Sequence, residues 1–303
     1  MNKRSEIIVE TEKRIYSLLK NQKLSLFLKK YKLEMFYEQN PNETVPAFQE
    51  ILSSINYSVV KSPNQPWKIN YKFRKSGGST EIRLFNQYDE NKPGVIFHHG
   101  LGAMTFIIQF QMIKEVFPQK KYNLFVIRAS HHDIYGNVVK HFINNFVNFA
   151  SGIAGSTLAV EEAVNFHKSL SQKPVIVTGF SLGGMVTGLH YFYFGNADYY
   201  FPIISFPDAS QIIFNKNNKD YVKNYDKLKK NESIKKCFVI PNDLPEKPKN
   251  KIYPIIGKYD DIINFKKAKR FWKDYNYKVL ETGHMTVISE RKELKNFILS
   301  KIS

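Results

Sequence analysis

Residues 175–186 decide the fold, and they read Val-Ile-Val-Thr-Gly-Phe-Ser-Leu-Gly-Gly-Met-Val. Three β-branched apolar residues lead into a Gly-Phe-Ser-Leu-Gly turn centred on Ser181, and residues 184–194 have helical character. This order predicts a strand, a sharp turn and a helix. The residues two positions from the serine are glycines, because a Cβ there would collide with the turn. We therefore predict that the Ser181 hydroxyl is held clear of the sheet at a helix N-terminus, where the helix dipole favours negative charge.

Length and composition limit the class of protein. The chain has 303 residues, of which 43% are hydrophobic and 15% aromatic, and this suits one large α/β domain with additions. The single cysteine, Cys237, excludes an internal disulfide and favours a reducing compartment. Residues 1–10 lack the apolar core of a signal peptide, and residues 142–160 are too often interrupted by polar side chains to predict a membrane span. We expect a cytoplasmic protein.

The net charge of +18 has two interpretations. Lysine dominates over arginine, and Asn, Ile, Phe and Tyr are also abundant, which indicates a compositional bias. Proteins that read nucleic acid depend on arginine, so we expect no nucleic-acid partner. Basic amphipathic residues 1–35 are also typical of weak association with an anionic membrane, and this alternative stays open.

Strand-like and helix-like segments alternate along the chain, and this predicts a mostly parallel sheet covered by helices on both faces. Residues 1–61 are predicted as an N-terminal helical extension, and residues 62–303 as the α/β domain. Within this domain, a Lys- and Asn-rich insertion at residues 209–250 is predicted as a cap or lid. An antiparallel hairpin, residues 67–73 and 80–88, is predicted at the sheet edge.

Polar residues follow the predicted strands at the end where parallel sheets carry their chemistry. Ser181, Asp260 and His284 come in the order nucleophile, acid and base. A serine hydroxyl is a poor nucleophile at neutral pH, so His284 would accept its proton. Asp260 would hold the imidazole in the required tautomer and stabilise the imidazolium.

These residues make the chain resemble the serine hydrolase branch of the α/β-hydrolase superfamily, esterase- or lipase-like, over about residues 92–303. The resemblance also rests on the His-Gly-Leu-Gly strand end at residues 99–102. It implies an oxyanion hole made by the backbone N–H groups of Leu101 and Leu182. It further implies cleavage of a small-molecule or lipid carboxylic ester through an acyl-enzyme, with no cofactor and no metal.

Several alternatives stay open. Asp261 could replace Asp260 as the acid, although the Gly-x-x-Asp spacing favours Asp260, and Asp208 is a third candidate. A thioesterase, a peptidase or an acyltransferase would share the same triad. A catalytically silent member of the fold would act as a binding protein.

Four histidines end two predicted strands that neighbour each other in the family's sheet: His98, His99, His131 and His132. No Asp/Glu-His ligand spacing accompanies them, so we expect no metal site. We expect His98 or His99 to be a structural histidine beside the oxyanion turn.

Overall fold

A nine-stranded sheet forms the centre of the molecule in the computed structural model, which describes residues 3–20, 34–61, 66–101 and 106–302. The strands lie in the order β1-β2-β3-β5-β4-β6-β7-β8-β9. Their bounds are β1 Asn56–Val60, β2 Trp67–Phe73, β3 Ser76–Leu84, β4 Gly94–His98, β5 Asn123–Arg128, β6 Val175–Phe180, β7 Tyr199–Ile203, β8 Ile255–Gly257 and β9 Lys278–Leu280. All pairings from β5 across to β9 are parallel, whereas β1, β2 and β3 pair antiparallel, as does β3 with β5.

The helices of the described ranges are α1 Lys3–Lys20, α2 Phe48–Ser54, α3 Phe106–Val116, α4 Tyr135–Asn137, α5 Phe146–Leu170, α6 Leu182–Tyr193, α7 Ala209–Ile213, α8 Tyr225–Leu228, α9 Glu232–Lys236, α10 Phe265–Phe271 and α11 Arg291–Ile302. A π-helical turn lies at Val138–Phe142, and 3-10 turns lie at Lys216–Tyr221, Lys249–Lys251 and Thr286–Glu290.

Alternate residues of the central strands point to opposite faces of the sheet, and helices cover both faces. In β4, Val95 and Phe97 pack into a cluster with α3 and α11, whereas Ile96 packs into the larger cluster with α5 and α6. All residues of β4 and β6 are buried, as unbroken apolar strands in a covered parallel sheet should be. The predicted α/β fold with its mostly parallel sheet is confirmed.

Strand β1 is not predicted, because it lies within residues 1–61, for which the sequence predicts helices. Its five residues pair antiparallel with β2, so β1, and not the predicted hairpin, forms the edge of the sheet. The hairpin itself is present, but its second strand is Ser76–Leu84 rather than the predicted residues 80–88. The last two residues of β1 are Val59 and Val60, whose branched side chains favour a strand.

Residues 209–250 lie between β7 and β8 and pack against the segment that contains α2. The backbone N–H of Phe48 donates to the carbonyl of Cys237 at 2.7 Å, and the ring of Phe48 stacks on Phe238 with centroids 5.2 Å apart. These contacts join the two segments into the main core. The function of residues 209–250 as a cap or lid stays a prediction.

Helix α5 lies close against β2 because glycines face the sheet. A Cβ on Gly155 would lie 2.4 Å from Cδ1 of Tyr71, and one on Gly152 would lie 2.4 Å from Cε2 of Phe142. The first fifteen residues of this helix are mostly buried within the protein. Within the described ranges, every helix is too short or too polar to cross a bilayer.

Candidate active site

The turn between β6 and α6 holds Ser181 in a strained conformation, with φ 53° and ψ −110°. Its backbone N–H donates to the carbonyl of Ile203 at 3.0 Å. A Cβ on Gly183 would lie 2.0 Å from the carbonyl oxygen of His98, and one on Gly179 would lie 2.4 Å from the carbonyl carbon of Gly183. Only glycine fits at these two positions, as the Gly-x-Ser-x-Gly pattern predicts.

The structure brings Ser181, His284 and Asp260 together from the ends of β6, β9 and β8. Nε2 of His284 lies 3.0 Å from Oγ of Ser181, and Nδ1 of His284 lies 2.8 Å from Oδ2 of Asp260. The carboxylate can only accept, so Nδ1 carries the proton and Nε2 is free to accept one from the serine hydroxyl. Oδ1 of Asp260 accepts from the backbone N–H groups of Ile262 and Ile263 at 3.0 and 2.9 Å, and these bonds fix the carboxylate.

Both partners of the His284–Asp260 pair are buried, so burial and the neighbouring carboxylate act on the pKa of the imidazole in opposite directions. Burial alone would lower the pKa of His284. The charge of the Asp260 carboxylate and its hydrogen bond outweigh burial, and with a smaller contribution from Glu12 they raise the pKa of His284 above its usual value. The site therefore stabilises the protonated form of the imidazole.

The turn after β4 lies against the Ser181 turn and is held by side chains. Nε2 of His99 accepts from the N–H of Ala129 at 3.1 Å, and its Nδ1 donates to the carbonyl of Gly100 at 2.6 Å. The N–H of Gly100 donates to Oε1 of Gln109 at 2.9 Å. His99 is thus the structural histidine that the sequence predicts there, and Gln109 is a residue that sequence reasoning missed.

The predicted oxyanion residues, Leu101 and Leu182, belong to the turn after β4 and to the start of α6. Leu182 is the first residue of α6, where backbone N–H groups lack helical partners. Leu101 ends a described range, and Gly102 of the same predicted turn lies outside the described residues.

Three buried histidines form a cluster beside the Ser181 turn. The rings of His98 and His132 each lie 5.0 Å from that of His99, measured between centroids. Burial lowers the pKa of His99 to about 4 and that of His132 to about 3, and it holds the pKa of His98 well below its usual value. The cluster is therefore neutral at pH 7.

Metal ligation has no support in the described part of the chain. There, no group of three or more His, Cys, Asp or Glu side chains is arranged to hold an ion. Nδ1 of His98 and Nδ1 of His132 both donate to backbone carbonyls, at 2.8 and 2.9 Å. This arrangement serves to brace the strand ends.

The other candidate acids lie in different surroundings: Asp261 is exposed, whereas Asp208 is buried among other partners. Oδ1 of Asp208 accepts from the hydroxyl of Ser210 at 2.6 Å, and its side chain caps the N-terminus of α7. Asp260, and not Asp208, therefore faces His284. Cys237 is buried, and burial raises the pKa of its thiol, so it remains an unreactive core residue.

Sequence reasoning also missed Glu12, a buried carboxylate of α1. Its Oε1 accepts from the backbone N–H groups of Met285 and Thr286 at 2.8 and 2.6 Å, directly after His284. A glutamate in a Lys- and Arg-rich amphipathic helix gives no sequence signal for burial.

Comparison with known proteins concerns the fold. The sequence matches no protein-family model and no curated protein. The structure is similar to that of an esterase from Pyrococcus furiosus over 88% of this chain and 97% of that chain, with 12% identity and a TM-score of 0.50. A weaker match is an α/β serine hydrolase homologue from Coxiella burnetii, with 12% identity over 80% of this chain and 100% of that chain and a TM-score of 0.46. Another is a lidless α/β serine hydrolase from Xanthomonas campestris, with 11% identity over 80% of this chain and 96% of that chain and a TM-score of 0.48. With the strand order described above, the match to the Pyrococcus furiosus structure shows the architecture: the chain has the α/β-hydrolase fold.

Proposed function

We propose that this protein is a serine hydrolase that cleaves a carboxylic ester through an acyl-enzyme on Ser181. The observation that carries the proposal is the pair of hydrogen bonds that links Ser181 Oγ through His284 to Asp260, at 3.0 and 2.8 Å. The esterase activity stated for the Pyrococcus furiosus structure is compatible with it, but the geometry of this chain is the argument.

The reaction follows from these positions. As Ser181 Oγ attacks the ester carbonyl carbon, its proton passes to Nε2 of His284, and Asp260 stabilises the imidazolium. The tetrahedral intermediate collapses, and His284 gives the same proton to the departing alkoxide. A water molecule then attacks the acyl-enzyme, with His284 again accepting a proton and returning it to Ser181, which releases the acid.

The oxyanion would be held by the N–H groups of Leu101 and Leu182. The N–H of Gly100 is not available for this, because it donates to Gln109. The carbonyl of Gly100 accepts from His99, and the N–H of Leu101 lies on the opposite side of the same trans peptide. His99 therefore fixes the direction in which the Leu101 N–H points.

An apolar acyl group is supported by side chains at the carboxyl edge of the sheet. Large apolar residues that follow β4, β5 and β9 are exposed, namely Leu101, Ile107, Ile108, Ile134 and Ile288. Apolar side chains exposed in segments that follow strand ends, where parallel sheets carry their sites, are candidates for an acyl-binding surface. We therefore expect esters of longer acyl chains to be preferred over acetates.

Labelling with a fluorophosphonate probe tests the function. We expect the wild type to label and Ser181→Ala and His284→Ala to stay unlabelled. Asp260→Asn should slow labelling by about 10⁴-fold, since the imidazole then adopts the wrong tautomer. The matched control is Asp208→Asn, which changes an acid at another strand end and should label at the wild-type rate.

Matched substrates then separate the activities that share the triad. Esters of increasing chain length are compared with the thioester and the amide of the same acyl group. A higher kcat/KM for the thioester or amide would replace the ester proposal with a thioesterase or peptidase. If the folded wild type neither labels nor hydrolyses any of them, the protein is a silent, ligand-binding member of the fold.

A weak anionic membrane partner is a separate proposal. On α1, Ile7 is 56% exposed, and Arg4, Lys13 and Arg14 are exposed as well. Vesicles containing phosphatidylserine should sediment the protein at low salt and release it at high salt. Binding that ignores salt, or that persists fully in Lys13→Glu/Arg14→Glu, would refute this partner.

A further inference from the structure

Helix α1 meets the candidate active site through one buried carboxylate. We propose that Glu12 is a positioning residue of the site, which holds the turn that carries His284. This inference rests on the proposed hydrolase function, because it assigns Glu12 to the same site.

The hydrogen bonds of Glu12 reach the residues on both sides of His284 in the sequence. Its Oε1 accepts from the N–H of Met285, the N–H of Thr286 and the hydroxyl of Thr286, at 2.8, 2.6 and 2.8 Å. That same hydroxyl oxygen accepts from the N–H of Gly283 at 2.9 Å. The residues on both sides of His284 are thus held, directly or through one hydroxyl, by a single carboxylate oxygen.

The glycine before His284 leaves the space that the Glu12 side chain occupies. A Cβ on Gly283 would lie 2.3 Å from Cδ and Cγ of Glu12 and 2.4 Å from its Oε1. No side chain at position 283 can coexist with Glu12 in its present place. The Gly-His pair at the end of β9 is therefore explained in part by a residue of α1.

Helix α1 presents Glu12 on its buried face. Ser5, Ile8 and Glu12 are buried, and their spacing of three and four residues places them on one side of the helix. Nη2 of Arg4 pairs with Oε1 of the buried Glu290 at 2.6 Å, which anchors the start of the helix to the same 3-10 turn, Thr286–Glu290. Two separate contacts thus fix α1 to the segment after His284.

The charge of Glu12 also acts on the imidazole. Its Oε2 is buried with no hydrogen-bond partner in the described part of the chain. The other charged group that faces His284 is Asp260, whereas Lys258 of the same turn is partly exposed and pairs with Glu281 at 2.6 Å. Burial lowers the pKa of His284, Asp260 raises it, and Glu12 raises it further. Loss of the Glu12 charge should therefore lower the pKa of His284.

Two substitutions separate positioning from charge. Glu12→Gln retains a carbonyl acceptor and loses the charge, whereas Glu12→Ala loses both. We expect Glu12→Ala to lower kcat by about 10- to 100-fold with little change in KM, because the base is displaced from the serine. In Glu12→Gln, the acid limb of the pH–rate profile should move to lower pH. The matched control is Glu10→Gln, an equal charge change at an exposed position of α1.

Titration of the His284 imidazole by NMR supplies a measurement that does not need activity. Its signal is identified by its absence from His284→Ala. The pKa of His284 should fall in Glu12→Gln and stay at the wild-type value in Glu10→Gln. If both variants leave it unchanged, and Glu12→Ala retains wild-type kcat, the proposal is wrong. If the wild type fails to label at all, the hydrolase function fails, and the titration still decides whether Glu12 acts on His284.

A double-mutant cycle tests the direct contact. Gly283→Ala should displace Glu12 and slow labelling in the wild type, but it should slow labelling much less when Glu12→Ala has already removed the obstructing side chain. Thermal unfolding of all four proteins shows whether each is folded at the assay temperature. Additive effects of the two substitutions would contradict the proposed contact.

Discussion

The pH at which Ser181 becomes reactive is set by the surroundings of His284. In the proposed mechanism the neutral imidazole is the base, and the pKa of His284 is raised above its usual value of 6.5. The rate of fluorophosphonate labelling should therefore rise with pH through a midpoint above 6.5. In Asp260→Asn, the residual rate should rise through a lower midpoint, because the main charge that favours the imidazolium is gone. A midpoint that is unchanged in this variant would contradict the assignment of Asp260.

The peptide between Gly100 and Leu101 is oriented by His99. His99→Ala removes the donor to the Gly100 carbonyl, so the Leu101 N–H should lose its fixed direction. We expect kcat to fall by about 10- to 100-fold, below the 10²–10³ cost of deleting an oxyanion donor outright, with KM nearly constant. The control is His132→Phe, a buried neutral histidine of the same cluster whose Nδ1 donates to Ser130 instead. Equal losses in both variants would indicate a packing effect.

At the scale of elements, the approach of α5 to β2 depends on Gly155. Helix propensity alone would favour alanine by about 1 kcal/mol. A Cβ at this position would lie 2.4 Å from the Tyr71 ring, and overpacking of this kind costs about 1–3 kcal/mol. We expect Gly155→Ala to lower the free energy of unfolding, measured with urea, while the labelling rate of the folded protein stays constant. A stabilised variant would show that the ring moves aside freely.

Elements with a local signal could be predicted from sequence, and those without one could not. The Ser181 turn needs glycines two residues away on either side, and the sequence has glycines at both positions. Strand β1 has an exposed pattern with little alternation, and its place is fixed by pairing with β2 rather than by its own residues.

The meeting of Ser181, Asp260 and His284 could be predicted because each follows a recognisable turn at a strand end. Glu12 could not, because its partners are 273 and 274 residues away, and nothing near it marks it as buried. The bond between Gln109 and Gly100 could not be predicted either, because a helical glutamine is ordinarily exposed and nothing in the sequence marks this one as a partner of the turn.

For the whole molecule, the neutral histidine cluster predicts sensitivity to acid. The folded-state pKa values of His99 and His132 are about 4 and 3, below the ordinary 6.5 of the unfolded chain. Between pH 6.5 and about 4, the unfolded chain therefore binds more protons, and each histidine lowers stability by about 1.4 kcal/mol per pH unit as the pH falls. His284 acts in the opposite sense near pH 6.5, because its raised pKa keeps it protonated in the folded protein while the unfolded chain is still partly neutral. At lower pH it adds nothing, since both states then hold the proton.

Urea unfolding across this pH range checks the expectation. The free energy of unfolding should be highest above pH 6.5 and should decline toward pH 4. His132→Phe should make the decline shallower by about 1.4 kcal/mol per pH unit, because one buried proton acceptor is lost. A slope equal to that of the wild type would show that His132 is protonated in the folded protein.

The bond between Glu12 and Thr286 has a consequence for biosynthesis. Glu12 of helix α1 is made before the backbone that it holds, which follows 274 residues later. At about 5–20 residues per second, this delay amounts to roughly 14–55 s. During that time Glu12 has no partner, and the nascent chain has no His284. We expect a chain stalled before residue 284 to resist the probe and a released chain to acquire reactivity in a late step, so that the proposed activity stays silent until α1 and the turn after β9 have met.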